Sequence, residues 1–357
     1  MISKVAIWGA GTMGTGIAIA ALNAGHKVQL VERDGAARSA ARRRIAAFFE
    51  RAAAKGKLSP ETVAERIAGL QVLDADGRLA PVDLAIEAVF EDLDVKRKVL
   101  AMIEEAVPAT AIIATNTSCL DLDELGTTLK VGERFLGLHF FSPAELNPVV
   151  ETVRCSSTGD SSFMDAVNWV HQIGKSPITC LNRPGFAINR FFCPYANEAV
   201  RCYEEGLGTI GQIDDVARTA FDVPFGPFAV MNITKPEILF RAQSTLAKLG
   251  PFYTPSGLLS DMSASRQLWE IEGTVDVLPR SLATVVSDRL MGAVFKAVGD
   301  ALAEGVASPE DIDTGAALAL RFGRPPVSLM KALGDEKTGS LVRAVAVGQL
   351  PEVLPGA

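Results

Sequence analysis

The sequence predicts an α/β fold: a doubly wound, mostly parallel sheet in the first half, continued by an all-α region. Three observations carry that prediction. The stretch Lys4-Val-Ala-Ile-Trp-Gly-Ala-Gly-Thr-Met-Gly14 joins a short apolar run to glycines spaced G-x-G-x-x-G, and small apolar residues then continue at helical spacing. Further short apolar runs recur as far as Leu181, alternating with segments of helical character, the pattern that builds a parallel sheet. From Phe186 onward only helical periodicity remains.

In such a turn Gly9 permits the sharp bend, Gly11 lets backbone approach a pyrophosphate, and Gly14 lets the helix sit close to the strand. Thr12 and Met13 open a helix whose N–H groups and dipole face the phosphates. This is the Rossmann-type arrangement. A second apolar run, Lys27 to Val31, ends at Glu32, about twenty residues on, where a carboxylate grips the adenosine ribose hydroxyls. Glu32 repels a 2′-phosphate, so NAD is expected over NADP; Arg33, the next residue, is the group that would pair with that phosphate instead.

At 357 residues two or three domains are expected. Hydrophobic residues at 48% and charged ones at 22% describe a globular chain. A net charge of −7 and a pI near 5.2 argue against a nucleic-acid surface. No apolar stretch approaches the ~20 residues that span a bilayer. The first strand begins at once, so a cytoplasmic chain without a cleavable leader is expected. The five cysteines, Cys119, Cys155, Cys180, Cys193 and Cys202, have no C-x-x-C spacing and read as small buried hydrophobes. Three histidines without paired spacing argue against zinc, so no metal is expected.

Ile45, Phe48, Phe49 and Ala52 recur at helical spacing, and Gly56 stops that helix. Ser59-Pro-Glu61 opens another, with Ser59 as N-cap and Pro60 in the first position. A helical hairpin is therefore inserted where a simple crossover carries one helix. Its basic residues, Lys55 and Lys57 among them, read either as a solvated face or as a clamp for a phosphorylated substrate. Val82 to Phe90 reads as a buried parallel strand, followed by a helix with acids leading and bases trailing. Ala111 to Ala114 is a further strand, ending at Thr115-Asn-Thr-Ser118. Ligands of open α/β sheets sit beyond the carboxyl ends of the strands, which puts Glu91, Asn116 and Ser118 on the ligand edge. For each, a turn or capping role is the competing reading.

Phe135 to Phe140 is a strand leading into a proline turn, and Pro148 to Val153 is the next. Two strands on a short loop can bring His139 and Glu151 together. A carboxylate on one imidazole nitrogen fixes the tautomer and raises the basicity of the other, as a general base requires. His26, ahead of a strand, and His171, in a helix, are read as structural. Ser176 to Leu181 is the last strand, and Asn182-Arg-Pro-Gly185 breaks the pattern.

The remaining segment repeats itself. Arg190, Glu205-Gly206 and Ile213-Asp214 are answered by Arg289, Glu304-Gly305 and Ile312-Asp313, a constant offset of 99 residues. The second copy has Asp288 where the first has Asn189, and it loses Pro194 and Asn197, so it reads as a packing unit without a site. The expected domains are 1–183 for dinucleotide binding with the inserted hairpin, 184–280 for the first helical copy and 281–357 for the second, degenerate one.

At this point the chain resembles the L-3-hydroxyacyl-CoA dehydrogenase family over nearly its whole length. The residues that carry the resemblance are Gly9-Ala-Gly-Thr-Met-Gly14, Glu87-Ala-Val-Phe-Glu-Asp92, Asn116-Thr-Ser118, Gly137-Leu-His-Phe-Phe-Ser-Pro143, Pro184-Gly-Phe-Ala-Ile-Asn-Arg190, Glu198-Ala199 and Gly226-Pro-Phe228. The tandem helical region looks like that of the dehydrogenase part of multifunctional fatty-acid β-oxidation proteins. The resemblance implies oxidation of a (3S)-3-hydroxyacyl-CoA by NAD, with His139 as general base and Glu151 orienting it. It implies that Ser118 and Asn189 hydrogen-bond the reacting oxygen or the thioester region, in a cleft between domains. It further implies that Glu91 and Lys96 contact the cofactor and that the hairpin, with Lys55 and Lys57, lies against the CoA moiety. Two departures stand out. Ser142 occupies the position of a frequent Asn, which turns a direct contact with nicotinamide or substrate into a water-mediated one. Met231-Asn-Ile-Thr-Lys235 replaces an Asp- and Gly-containing turn, which leaves acyl length open. The alternatives are an acyl-carrier-protein thioester or a non-thioester hydroxy acid as substrate, and a dinucleotide-binding protein without catalysis. For assembly the expectation is a monomer, pseudo-dimeric through its repeat, or a homodimer.

Overall fold

Residues 2–271 and 276–346 are described by the computed structural model, and the chain falls into two units, Met1–Asn182 and Arg183–Ala357. Of the helical regions expected from the repeat, 272–275 and 347–357 lie outside the described residues.

The first unit alternates strand and helix. In order it contains β1 (Lys4–Trp8), α1 (Thr12–Asn23), β2 (Lys27–Val31), α2 (Gly35–Ala54), α3 (Pro60–Ala68), β3 (Leu70–Leu73), β4 (Leu84–Glu87) and α4 (Leu93–Ala106). There follow β5 (Ile112–Thr115), α5 (Leu122–Gly126), β6 (Phe135–Phe140), β7 (Val149–Arg154), α6 (Asp160–Gln172) and β8 (Ser176–Leu181). The sheet has eight strands in the order β3-β2-β1-β4-β5-β6-β7-β8. Its first six strands are parallel; β7 runs antiparallel to β6, and β8 is parallel to β7. Order reverses at β1, the switch point where such sheets bind ligands.

The central strands are apolar throughout because helices cover both faces. Val5, Ile7, Leu30, Leu84 and Ile113 are fully buried. Ile45 and Phe49, one turn apart, seat α2 on the core, and Trp169 and Val170 do the same for α6. The second helix of the hairpin starts where the sequence places it: the Ser59 hydroxyl accepts the Thr62 amide at 3.2 Å, and Pro60 is the first residue of α3. All five cysteines are buried. Two readings need correction. The expected strand from Val82 to Phe90 pairs only over Leu84–Glu87, because Glu87 turns inward and Val89 bonds back to its carboxylate. The edge strand β3 was missing from the sequence reading altogether.

In the second unit the helices are α7 (Asn189–Glu204), α8 (Ile210–Phe221), α9 (Pro227–Thr234), α10 (Pro236–Leu246), α11 (Gly257–Ser265), α12 (Arg280–Ala303), α13 (Pro309–Ala319), α14 (Pro326–Leu333) and α15 (Asp335–Ala346). The offset of 99 residues seen in the sequence recurs in the backbone. α9 and α14 match at both ends, and the positive-φ residues Gly206, Asp222 and Lys235 are answered by Gly305, Arg321 and Gly334. Asp214 accepts the Phe228 and Ala229 amides at the start of α9, and Asp313 accepts those of Val327 and Ser328 at the start of α14. The two sets are joined reciprocally: Arg190 pairs with Glu304, and Arg289 with Glu205. The expected loop from Gly250 to Gly257 holds a short 3-10 turn at Pro251–Tyr253, and Asn197 fastens it through Thr254 O and the Ser256 amide.

Candidate active site

The site begins at the switch point. Gly9 has φ +104°, and a Cβ on Gly14 would lie 1.8 Å from the Gly9 carbonyl oxygen, so the third glycine of the motif is demanded by the turn itself. A Cβ on Gly11 would meet nothing within 4 Å. Gly11 caps α1 without a side-chain acceptor, and no acidic residue lies in the first turn. The helix end, made by Thr12 and Met13, is therefore electropositive and ready for an anion.

At the end of β2, Glu32 is held by the turn: its carboxylate accepts the Ala10 amide and the Asp34 amide, each at 3.0 Å. Arg38 donates to the Glu32 and Arg33 carbonyls and pairs with Asp74 at 2.8 Å, which keeps its guanidinium under the chain. Arg33 is exposed. A carboxylate anchored beside a bare helix N-terminus fits the ribose and pyrophosphate of NAD, and Glu32 opposes an added 2′-phosphate.

Beyond β4 and β5 lies a buried polar network that the sequence reading only touched. Lys96 is 1% exposed, and its ammonium bonds Glu87 Oε1 and Oε2 at 2.7 and 2.9 Å and pairs with Glu91 at 3.2 Å. Glu87, fully buried, also accepts the Thr115 hydroxyl at 2.6 Å. Glu91 accepts the Thr117 hydroxyl and the Ser118 amide at 2.5 and 2.9 Å, and the Ser118 hydroxyl at 3.3 Å. Burial is the largest single influence on Glu91 and pushes its carboxyl up. Lys96, the Thr117 hydroxyl and the Ser118 amide together outweigh it, and the carboxyl sits below the ordinary range. The structure thus brings Glu91, Lys96 and Ser118 together, but Lys96 reaches the site through its two carboxylates rather than as an open surface cation.

His139 and Glu151 face each other across the antiparallel pair β6–β7, in register. His139 Nδ1 and Glu151 Oε2 are 2.6 Å apart; the carboxylate is fully buried and the imidazole 8% exposed. Phe141 packs on the ring at 4.5 Å between centroids. Asn116 Oδ1 accepts the Phe140 amide at 2.9 Å, tying the end of β5 to the residue next to His139. Ser142 is exposed in the loop that follows, and Lys55 and Lys57 are exposed at the end of α2. Asn189 opens α7 in the second unit. His26 is half-buried near Trp169, and burial, the main influence, lowers its pKa.

Among the described residues no His, Cys, Asp or Glu cluster could hold a metal ion. No described helix is long and apolar enough to cross a membrane.

Missed by sequence reading were Thr115, Thr117 and the role of Glu87. A charged residue at the end of an otherwise apolar buried strand was the available signal.

Residues 4–183 match the family model "3-hydroxyacyl-CoA dehydrogenase, NAD binding domain", and residues 185–273 match "3-hydroxyacyl-CoA dehydrogenase, C-terminal domain". A probable 3-hydroxyacyl-CoA dehydrogenase of Caenorhabditis elegans is 38% identical over 65% of this chain and 77% of its own. The 3-hydroxyadipyl-CoA dehydrogenase of Escherichia coli is 29% identical over 98% and 75%. The chain spans 32% of the glyoxysomal multifunctional protein of Brassica napus, at 36% identity over 65% of this chain. Among solved structures, (S)-3-hydroxybutyryl-CoA dehydrogenase of Ralstonia eutropha superposes with a TM-score of 0.72 at 33% identity, over 75% of this chain and 96% of that one. The 3-hydroxybutyryl-CoA dehydrogenase of Escherichia coli reaches 0.87 over 98% and 96% at 24% identity, a likeness of fold.

Proposed function

The chain belongs to the 3-hydroxyacyl-CoA dehydrogenase family of NAD-dependent oxidoreductases, and from that premise we propose that it oxidises a (3S)-3-hydroxyacyl-CoA reversibly to the 3-ketoacyl-CoA, with His139 as general base. The observation that carries this reading is the 2.6 Å contact between His139 Nδ1 and the buried Glu151 carboxylate. It fixes the tautomer with Nδ1 protonated, so the substrate's 3-hydroxyl proton passes to Nε2, and Glu151 stabilises the imidazolium that results. Bound NAD supplies the hydride acceptor. Ser118, whose amide donates to Glu91, hydrogen-bonds the reacting oxygen, and Asn189 is assigned the same role. Glu91 and Glu32 hold the cofactor's riboses, Lys96 positions Glu91, and Ser142 meets the nicotinamide end through water. Lys55 and Lys57 bind CoA phosphate at the hairpin.

The test is turnover of acetoacetyl-CoA with NADH, compared with its pantetheine analogue. Strong discrimination for CoA is expected. Equal turnover would favour a carrier-protein thioester or a simpler acid. His139→Ala is expected to lower kcat about 10³-fold with NADH binding retained. Residual activity unchanged by that substitution would mean a non-catalytic dinucleotide protein.

The helical unit is read as two copies of one element, 184–280 and 281–357, supported by the reciprocal bridges Arg190–Glu304 and Arg289–Glu205. On that reading the chain is a monomer at micromolar concentration, and a tight dimer in light scattering would overturn it.

A further inference from the structure

One buried carboxylate near the site has no part in the chemistry above. Glu145 lies in the loop between β6 and β7, six residues from both His139 and Glu151, and its side chain is 11% exposed. Its Oε1 accepts Arg44 Nη2 at 2.8 Å, whereas Oε2 is buried without a hydrogen bond. Arg44, on α2, also donates from Nη1 to Thr12 O at 3.1 Å, so one guanidinium ties this loop to the first residue of α1. The facing wall is Gly16 of α1. A Cβ there would fall 2.5 Å from Glu145 Oε2, 3.0 Å from Ala144 Cβ and 3.4 Å from Ala144 N. The loop is closed on itself by the Leu146 and Asn147 amides, which donate to Pro143 O at 2.9 and 2.8 Å. Lys175 Nζ holds Asn147 O at 2.5 Å.

A buried acceptor without a donor is costly, more so when charged. A loop that needed only to connect two strands would place a small or apolar residue there. Three separate elements instead meet at this carboxylate: the helix of the dinucleotide turn, the first helix of the hairpin and the loop joining the His139 and Glu151 strands. We propose that Arg44, Glu145 and Gly16 form a clamp that sets the position of the β6–β7 loop, and through it His139, relative to the dinucleotide turn. They are positioning residues, and the proposal rests on the reading of His139 as general base. A displacement of about 1 Å between reacting groups costs up to about 10²-fold in rate.

The experiment measures kcat, KM for NADH and acetoacetyl-CoA, and the kinetic isotope effect with NADH deuterated at the transferred position, for the parent, Glu145→Gln, Arg44→Gln, the double variant and Gly16→Ala. Each single variant is expected to lose about ten- to hundredfold in kcat with both KM values within threefold. The isotope effect should rise as hydride transfer becomes limiting. The double variant should lose no more than the worse single, because the two residues act as a unit. Arg44→Lys keeps the charge but not the fork that reaches two acceptors, and should fall between. A purely structural role would lower melting temperature and active fraction and leave the isotope effect where it was. Folded Arg44→Gln and Glu145→Gln with kcat within twofold of the parent overturn the proposal; if Glu145→Gln does not fold, Arg44→Gln and Gly16→Ala decide alone. A parent without turnover overturns the general-base reading and the clamp with it.

Discussion

Both units bury charge, but in opposite ways. In the sheet unit one buried cluster gathers where β4 ends, Glu87 with Lys96 and Glu91, and another faces across the β6–β7 pair, His139 with Glu151. In the helical unit they join helix to helix: Arg289 donates to Glu198 at 2.6 Å and pairs with Glu205, while Arg190 pairs with Glu304. The sheet unit's set bears the larger desolvation cost, because Glu87, Lys96 and Glu151 are fully buried whereas Glu205 and Glu304 are each 37% exposed. The difference is that the first set presents polar atoms to the ligand edge and the second spends all of its contacts on protein. Burial and pairing alone therefore do not distinguish the proposed catalytic pair from an architectural one; its place on the sheet does.

Four changes test this contrast. Glu151→Gln should cost the most: about 10²–10³-fold in kcat, or about 3–4 kcal/mol of barrier, with melting temperature lowered only modestly. A stability loss without a matching kinetic loss would place the pair among the architectural ones. Arg289→Met is the reverse case, expected to lower stability by about 3 kcal/mol because it leaves Glu198 and Glu205 short of a partner. Urea unfolding measures that loss, and KM values should be unmoved. Asp214 gives a pH signature. Burial, only partly countered by the Phe228 and Ala229 amides, pushes its carboxyl up from 3.8 to about 6. Between those values the folded chain keeps a proton that the unfolded chain has released, so this group's contribution to stability falls as pH rises through the window. Asp214→Asn should remove at most about 3 kcal/mol of that fall, visible as a flatter pH dependence of the urea midpoint between pH 4 and 6.5. Ser142→Asn is expected to do least, changing KM for NADH by less than fivefold; a larger change in kcat would give Ser142 a direct part in the reaction.

Much of this was legible in the sequence, for local reasons. Glycine spacing declares the dinucleotide turn because backbone conformation and close approach leave no other residue possible at Gly9 and Gly14. Ser59 and Pro60 declare a helix start because only a few residues satisfy orphan amides. His139 and Glu151 could be paired because a short connection between strands puts residues in register. What stayed hidden has no such local signal. β3, Leu70–Leu73, is a four-residue edge strand with a glutamine in it. Lys96 looks like any surface lysine on a helix, and only the fold brings Glu87 and Glu91 to it. Arg44 and Glu145 are 101 residues apart, and no periodicity links them. The offset of 99 residues is visible in the sequence, yet which arginine meets which glutamate depends on how the helices are turned toward each other.

That crossing of Arg190 with Glu304 and of Arg289 with Glu205 has a kinetic corollary. Both bridges join the polypeptide to itself, so forming them involves no encounter between molecules and no loss of translational freedom. Dilution cannot part them: the mass-action term that dissolves a two-chain interface at nanomolar concentration is missing here, and the helical unit comes apart only by unfolding, at a rate independent of how much protein is in the tube.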